Sequence, residues 1–245
     1  MDTLYIAMSG ANAILQRQTV AANNMANVNT TGFRADQAEF RALPVFGQGL
    51  PTRVYTATQE VSSDFRQGTI VRTGRPLDVA VKGPGWLAVQ GPDGKEAYTR
   101  DGNLQISGQG ILMTATGHPV IGNGGAPISL PSLQSVTIGA DGTVSGVPTG
   151  SQPNAVVVFN RIKLVNPPES ALQKGADGLF TDSKGPAPAA GSLTLDVGAL
   201  EGSNVNPVST MIQMLEDTRQ FETQTKLMQT ISQDQQASNQ LLILP

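Results

Sequence analysis

The chain has 245 residues, enough for one large domain or two small ones with a real core. A net charge of -3 gives no basic footprint for nucleic acid or an anionic membrane, and the absence of cysteine excludes disulfides and thiolate metal sites. Only 14% of residues are charged, against a usual ~25%, and 27 Gly with 16 Pro mark a turn-rich, uncharged polar surface, as in extracellular β proteins and self-assembling subunits.

The N-terminus has neither the basic start nor the unbroken apolar run of a cleavable signal peptide. Its first basic residue is Arg17, and the apolar stretch Leu4–Met8 is short. No run reaches the ~20 apolar residues of a membrane span. The expectation is a cytoplasmic chain or one exported uncut, without direct membrane insertion. Lacking thiols fits export through an oxidising compartment.

Residues 1–28 carry one helical pattern. Leu4, Ala7, Ala11, Ile14, Gln18, Ala21, Met25 and Val28 step by three and four, which predicts an a/d seam. Alanine-rich, that seam buries little area, so the helix is marginal alone. Asn23, Asn24, Asn27 and Asn29 crowd its end and Gly32 follows, as residues tolerant of positive φ do at helix ends and turns.

Residues 35–74 show little pattern and read as an extended connecting segment. From 75 to 200, short apolar runs (Leu77–Val81, Trp86–Val89, Ile111–Met113, Val136–Ile138, Val156–Leu164) alternate with Asp93-Gly94, Asp101-Gly102, Asp141-Gly142 and Asp177-Gly178. Asp-Gly between apolar runs is a hairpin signal, so this region reads as a mostly antiparallel sandwich or barrel-like domain. Lys184–Gly191 reads as a loop.

Residues 207–242 return to helix, with Pro207 suited to a first turn. Met214, Phe221, Met228, Gln235 and Leu242 recur every seven residues, flanked by Met211, Leu227, Ile231 and Leu241. The predicted class is therefore α+β. Long terminal helices form a coiled-coil-like unit (1–34 with 201–245), and a central β domain spans 75–200. Helices longer than one chain needs imply partners that order them on assembly.

The segment Ala22-Asn23-Asn24-Met25-Ala26-Asn27-Val28-Asn29-Thr30-Thr31-Gly32-Phe33-Arg34 closely resembles the N-terminal signature of the flagellar rod and hook axial proteins, with Met25 and Arg34 as mild departures. Arg75–Val81, Gly85–Val89 and Ala97–Gly102 resemble that family's central β region, and Glu201-Gly202-Ser203-Asn204-Val205-Asn206 its C-terminal motif. The resemblance runs from end to end and is nearest to a proximal-rod member, with a distal-rod member as the alternative. It implies a structural, non-catalytic subunit exported uncut by the flagellar type III apparatus. Assembly would be with copies of itself and neighbouring axial proteins, into a helical tube that transmits torque across the periplasm. Terminal helices would line the tube and the β domain would face outward. The residues expected at assembly contacts are Leu4, Ala7, Ala11, Ile14, Ala21, Asn23, Asn24, Met25, Asn27, Val28, Gly32, Phe33, Gly202, Ser203, Asn204, Val205, Met211, Met214, Phe221 and Met228.

Chemical sites are harder to find. A triad or histidine metal site would have to use the one histidine, His118, which stands between Gly117 and Pro119 and reads as a turn residue. Gly83-Pro84-Gly85 and Gly122–Gly125 lack the following helix of a phosphate loop. The Asp-Gly pairs lack the spaced oxygen ligands of a calcium loop. No cofactor, metal or catalytic residue is expected; a carboxylate-dependent hydrolase is the alternative from another class, but no paired carboxylates support it.

Overall fold

The computed structural model describes residues 2–44, 54–152 and 155–241. Its two compact units are 1–28, 35–64 and 205–245, and 29–34 with 65–204.

The first unit holds α1 (Asp2–Ala26), β1 (Asp36–Pro44), β2 (Val54–Ser63) and, returning from the far end of the chain, α2 (Pro207–Leu241). Asn206 caps α2: its Oδ1 accepts the Ser209 N–H at 3.1 Å, with Pro207 in the first turn. β1 and β2 form an antiparallel ribbon running from Asp36 opposite Ser63 to Pro44 opposite Val54, with a bulge at Glu39/Phe40. Asn24, near the end of α1, grips the start of that ribbon. Its Nδ2 donates to the Asp36 carbonyl and its Oδ1 accepts the Asp36 N–H, both at 2.8 Å. A side-chain amide thus offers both the donor and the acceptor of a strand partner.

The α+β class stands, but the coiled-coil-like unit needs correction. The helices run antiparallel within one unit, since Arg17 meets Asp217 and Ala7 meets Gln224. Among the described residues no coiled coil is formed. Among the described side chains of α2 the one fully buried is Asp217, and Met214, Phe221 and Met228 are only half-buried. The Gln224 amide donates to the Ala7 carbonyl at 2.9 Å, lying over Gly10, where a Cβ would stand 3.0 Å from it. An ion pair and a glutamine over small residues occupy the places where apolar knobs would interlock. The side chains of Gln235 and Leu241, and the whole of Leu242, lie outside the described residues.

Among the described residues the helical structure of the second unit is one short 3-10 turn at Glu169–Ala171, and its other regular elements are strands. Its strands are β3 (Ile70–Arg72), β4 (Val79–Lys82), β5 (Trp86–Gln90), β6 (Glu96–Thr99), β7 (Leu104–Ile106), β8 (Leu112–Thr114), β9 (Leu133–Ile138) and β10 (Thr143–Pro148). They continue with β11 (Val157–Arg161), β12 (Leu164–Val165), β13 (Leu172–Lys174), β14 (Phe180–Asp182), β15 (Thr194–Val197) and β16 (Ala199–Glu201). The largest sheet has the order β12-β5-β6-β14-β13; β11-β10-β9 form a second, and β15-β4, β16-β3 and β7-β8 pair off.

β5 divides the core. Leu87 and Val89 point into one cluster with Val79, Leu104 and Leu112, while Trp86 and Ala88 point into another with Tyr98 and Phe180. A strand buried on both faces reads as a continuous apolar run, as Trp86–Val89 does.

Asp93-Gly94, Asp141-Gly142 and Asp177-Gly178 close the hairpins β5-β6, β9-β10 and β13-β14. Each aspartate accepts the N–H two residues on, at 3.0–3.1 Å. Asp101 makes the same bond to Asn103, but Asp101-Gly102 joins no hairpin. A Cβ on Gly102 would sit 1.6 Å from the Val79 carbonyl oxygen, so glycine is there for a backbone crossing.

Candidate functional site

Two sets of residues carry the functional argument: the helix pair, and the three signature segments.

On α1, Ala7, Ala11, Ile14 and Ala21 are buried, Leu4 and Met25 half-buried, and Asn23 exposed; beyond the helix, Asn27 and Val28 are half-buried. Arg17 reaches across to Asp217, Nη2 to Oδ1 at 2.8 Å. Some apolar residues of the pair face outward instead. Tyr5, Met8 and Leu15 lie on a second α1 stripe, one step round from the buried seam, and Val208, Met211, Ile212 and Leu215 cover the first turns of α2. Because the helices are antiparallel, Tyr5 and Met8 mark one end of the pair and Val208–Leu215 the other. Of these only Met211 was among the expected contacts. The signal for the α1 stripe was in the sequence, in the three-four steps Tyr5, Met8, Asn12, Leu15, Thr19 and Ala22, masked by the stronger seam beside it.

In the signature segments, Gly32 is buried with φ +68°, and a Cβ on it would lie 2.2 Å from the Arg100 carbonyl carbon. Its N–H donates to the Glu201 carbonyl at 2.8 Å. Phe33 accepts the Asn204 N–H through its carbonyl and packs its ring under the Lys174 ammonium, 4.0 Å from the centroid. Gly202 donates to the Thr69 carbonyl, and the Asn204 side chain donates to the Arg66 carbonyl. Ser203 and Val205 are half-buried beside them.

Beneath this crossing lies a charge cluster absent from the expected contacts. Glu201, fully buried, accepts through Oε1 from Arg34 Nη2 at 2.6 Å and from the Gly68 N–H at 3.0 Å, and through Oε2 from Arg100 Nη1 at 3.0 Å. Arg100 also donates to the Val81 and Gly83 carbonyls. Two guanidiniums share one carboxylate, and the Trp86 ring faces both, at 5.8 Å from Arg34 and 5.4 Å from Arg100. A π face attracts cations, so it stands in part for the missing second anion. Burial draws Arg100 below its ordinary pKa, with the Glu201 charge opposing. Nearby, burial raises the Asp101 carboxyl and pushes the Tyr98 phenol up to about 12.

Known proteins match along the whole chain. A family model described as "Flagella basal body rod protein" fits residues 4–34, one described as "Flagellar hook protein FlgE/F/G D1 domain" fits 80–146, and one described as "Flagellar basal body rod FlgEFG protein C-terminal" fits 197–241. The flagellar basal-body rod proteins FlgF of Salmonella typhimurium and Escherichia coli are each 43% identical over 246 residues, 98% of this chain and 97% of theirs. The chain belongs to the FlgF family of flagellar basal-body rod proteins. A FlgG rod protein of Buchnera aphidicola is 32% identical over 264 residues, covering 98% of this chain and all of its own.

This FlgF-family chain is a structural rod subunit of the flagellar basal body, part of the motility apparatus. Its three matched segments contribute one charged member each to the buried cluster: Arg34, Arg100 and Glu201. Among the described residues no group of three metal-ligating side chains is found, and no helix is long and apolar enough to cross a membrane.

Proposed function

We propose that this chain builds the proximal part of a rod by head-to-tail contact of its helix pair with neighbouring axial subunits, and that it does no catalysis. The observation that carries this is the placement of the exposed apolar residues. Tyr5 and Met8 at one end of the pair, and Val208, Met211, Ile212 and Leu215 at the other, are 46–64% exposed. Different patches at opposite ends favour a heterologous, repeating contact over a closed two-fold dimer. Such a contact continues into a helical tube, fit to transmit torque across the periplasm, with copies of this chain and other rod proteins as partners.

The seam residues Leu4, Ala7, Ala11, Ile14, Ala21, Met25, Val28, Met214, Phe221 and Met228 hold the pair in shape for that contact. Asn23, Asn24, Asn27, Gly32, Phe33, Gly202, Ser203, Asn204 and Val205 fix where the helices start and stop. Delivery runs through the flagellar type III export apparatus. Met8→Ser with Leu215→Ser tests the reading. Both side chains are exposed, so the subunit should fold, be secreted and melt as before, while rods fail and cells do not swim. Normal swimming by that variant overturns it.

A further inference from the structure

The chain passes between its two units four times, after Val28, Arg34, Asp64 and Asn204, the first two bracketing the short segment 29–34. Three of these exits, those after Arg34, Asp64 and Asn204, place a side chain in one buried cluster of the β unit. The first contributes Arg34 and the third Glu201. The second contributes Phe65, whose ring meets Trp86 edge-on at 6.1 Å and Phe180 at 5.7 Å; Trp86 and Phe180 are themselves 4.6 Å apart. Backbone bonds tie the same exits to one another: Gly32 to Glu201, Asn204 to Phe33, and the Asn204 side chain to Arg66. Gly68 closes the junction. A Cβ there would lie 2.1 Å from the Gly202 carbonyl oxygen, which leaves no room for a looser arrangement.

We infer that the Arg34–Glu201–Arg100 cluster around Trp86 is a mechanical anchor, which makes the three exits share any load that reaches the β unit through the chain. The inference rests on the rod reading for its purpose but not for its physics. A single strand leaving a sheet edge peels one hydrogen bond at a time. Three segments pinned by one carboxylate and one ring must give way together. The pins are charge-assisted bonds in a dry site, the strongest class of hydrogen bond in a protein. Arg34 and Arg100 compete for Glu201, so loss of either arginine leaves a one-to-one pair and the β unit intact. Loss of Glu201 instead leaves two buried cations unpaired, a far costlier change.

Single-molecule force spectroscopy tests this on the whole chain. The sequence has no cysteine, so Ala22→Cys and Gln109→Cys, both at exposed positions, supply handles on α1 and on the β unit. Arg34→Met should shorten the lifetime at constant force by roughly tenfold or more, the weight of one charged hydrogen bond. Lys163→Met is the control. It breaks the part-buried Lys163–Glu96 pair, with both oxygens at 2.8 Å from Nζ, away from the exits. That variant should lower the melting temperature yet keep the lifetime within threefold of the parent. The fluorescence of Trp86, the one tryptophan, verifies that the cluster remains packed in each variant. Equal shortening in both variants would mean that the cluster is ordinary stabilisation, and a lifetime unchanged within threefold in Arg34→Met would remove the anchor altogether. Neither result touches the rod reading, which stands or falls on secretion and swimming.

Discussion

Removing Arg17 should destabilise the helix pair out of proportion to the contact it makes. Asp217 is fully buried. Its Oδ1 takes Arg17 at 2.8 Å and the Gln213 amide at 3.2 Å, while its Oδ2 has no hydrogen-bond partner among the described residues. Arg17→Met therefore strands a buried carboxylate with one neutral hydrogen bond. Breaking a buried pair costs ~3–5 kcal/mol. The Arg17 side chain is 33% exposed, so water screens part of that interaction, and about 2–3 kcal/mol is the expected loss. Asp217→Leu in the same background removes the stranded charge and gains up to ~1.5–3 kcal/mol from burying a leucine. The double variant should return to within about 1 kcal/mol of the parent, which is strong coupling between the two sites. Denaturant unfolding followed by helical circular dichroism measures this. Trp86 fluorescence reports the β unit separately and should not move. A loss below ~1 kcal/mol in Arg17→Met, or a double variant no better than the single, would refute the assignment of Asp217 as a buried charge held chiefly by Arg17.

Phe221→Ala with Met228→Ala removes two half-buried side chains from the helix pair; a loss of ~1–3 kcal/mol in the helical signal, an unchanged Trp86 signal and no swimming on soft agar are expected. Gly32→Ala must place a methyl at φ +68° against the Arg100 backbone, so the β unit should lose more than ~3 kcal/mol in a denaturant melt; Gly74→Ala, with φ +74° but open space around it, should lose only ~1–2 kcal/mol. Tyr98 gives a pH dependence. Its phenol, held neutral to about 12 by burial, keeps its proton in the folded state across the interval above 10.0 in which the unfolded chain loses it. Its contribution is full below the unfolded value and is lost as the pH rises through that interval, a fall of about 2–3 kcal/mol that Tyr98→Phe should remove from an alkaline stability series.

The terminal helices and the hairpins were legible because their signals are local. An a/d step along α1, Pro207 at the start of α2, and Asp-Gly between apolar runs each act within a few residues. The ribbon β1-β2 was not read as paired strands. Its residues alternate weakly, and what fixes it is a long-range bond from Asn24 to Asp36 together with α1 packed against it. The coiled coil was over-read for a related reason. Heptad spacing reports which positions share a face, but not whether that face meets one helix or a helix and a ribbon together. Nor does it say whether an ion pair will take the central place, as Arg17–Asp217 does.

Motif spelling by itself carried this chain to its family, and residue spacing by itself located its helices and most of its turns. It did not reveal that Arg34, Arg100 and Glu201 are one object. Glu201 lies 167 residues from Arg34 and 101 from Arg100, and no periodicity links such distances. A lone charge at the edge of an apolar motif looks like a solvated surface group. Only when the sheets bring the segments together does water leave, and removal from water turns three scattered charges into a buried cluster. Pairing there is strong because the surroundings no longer screen it.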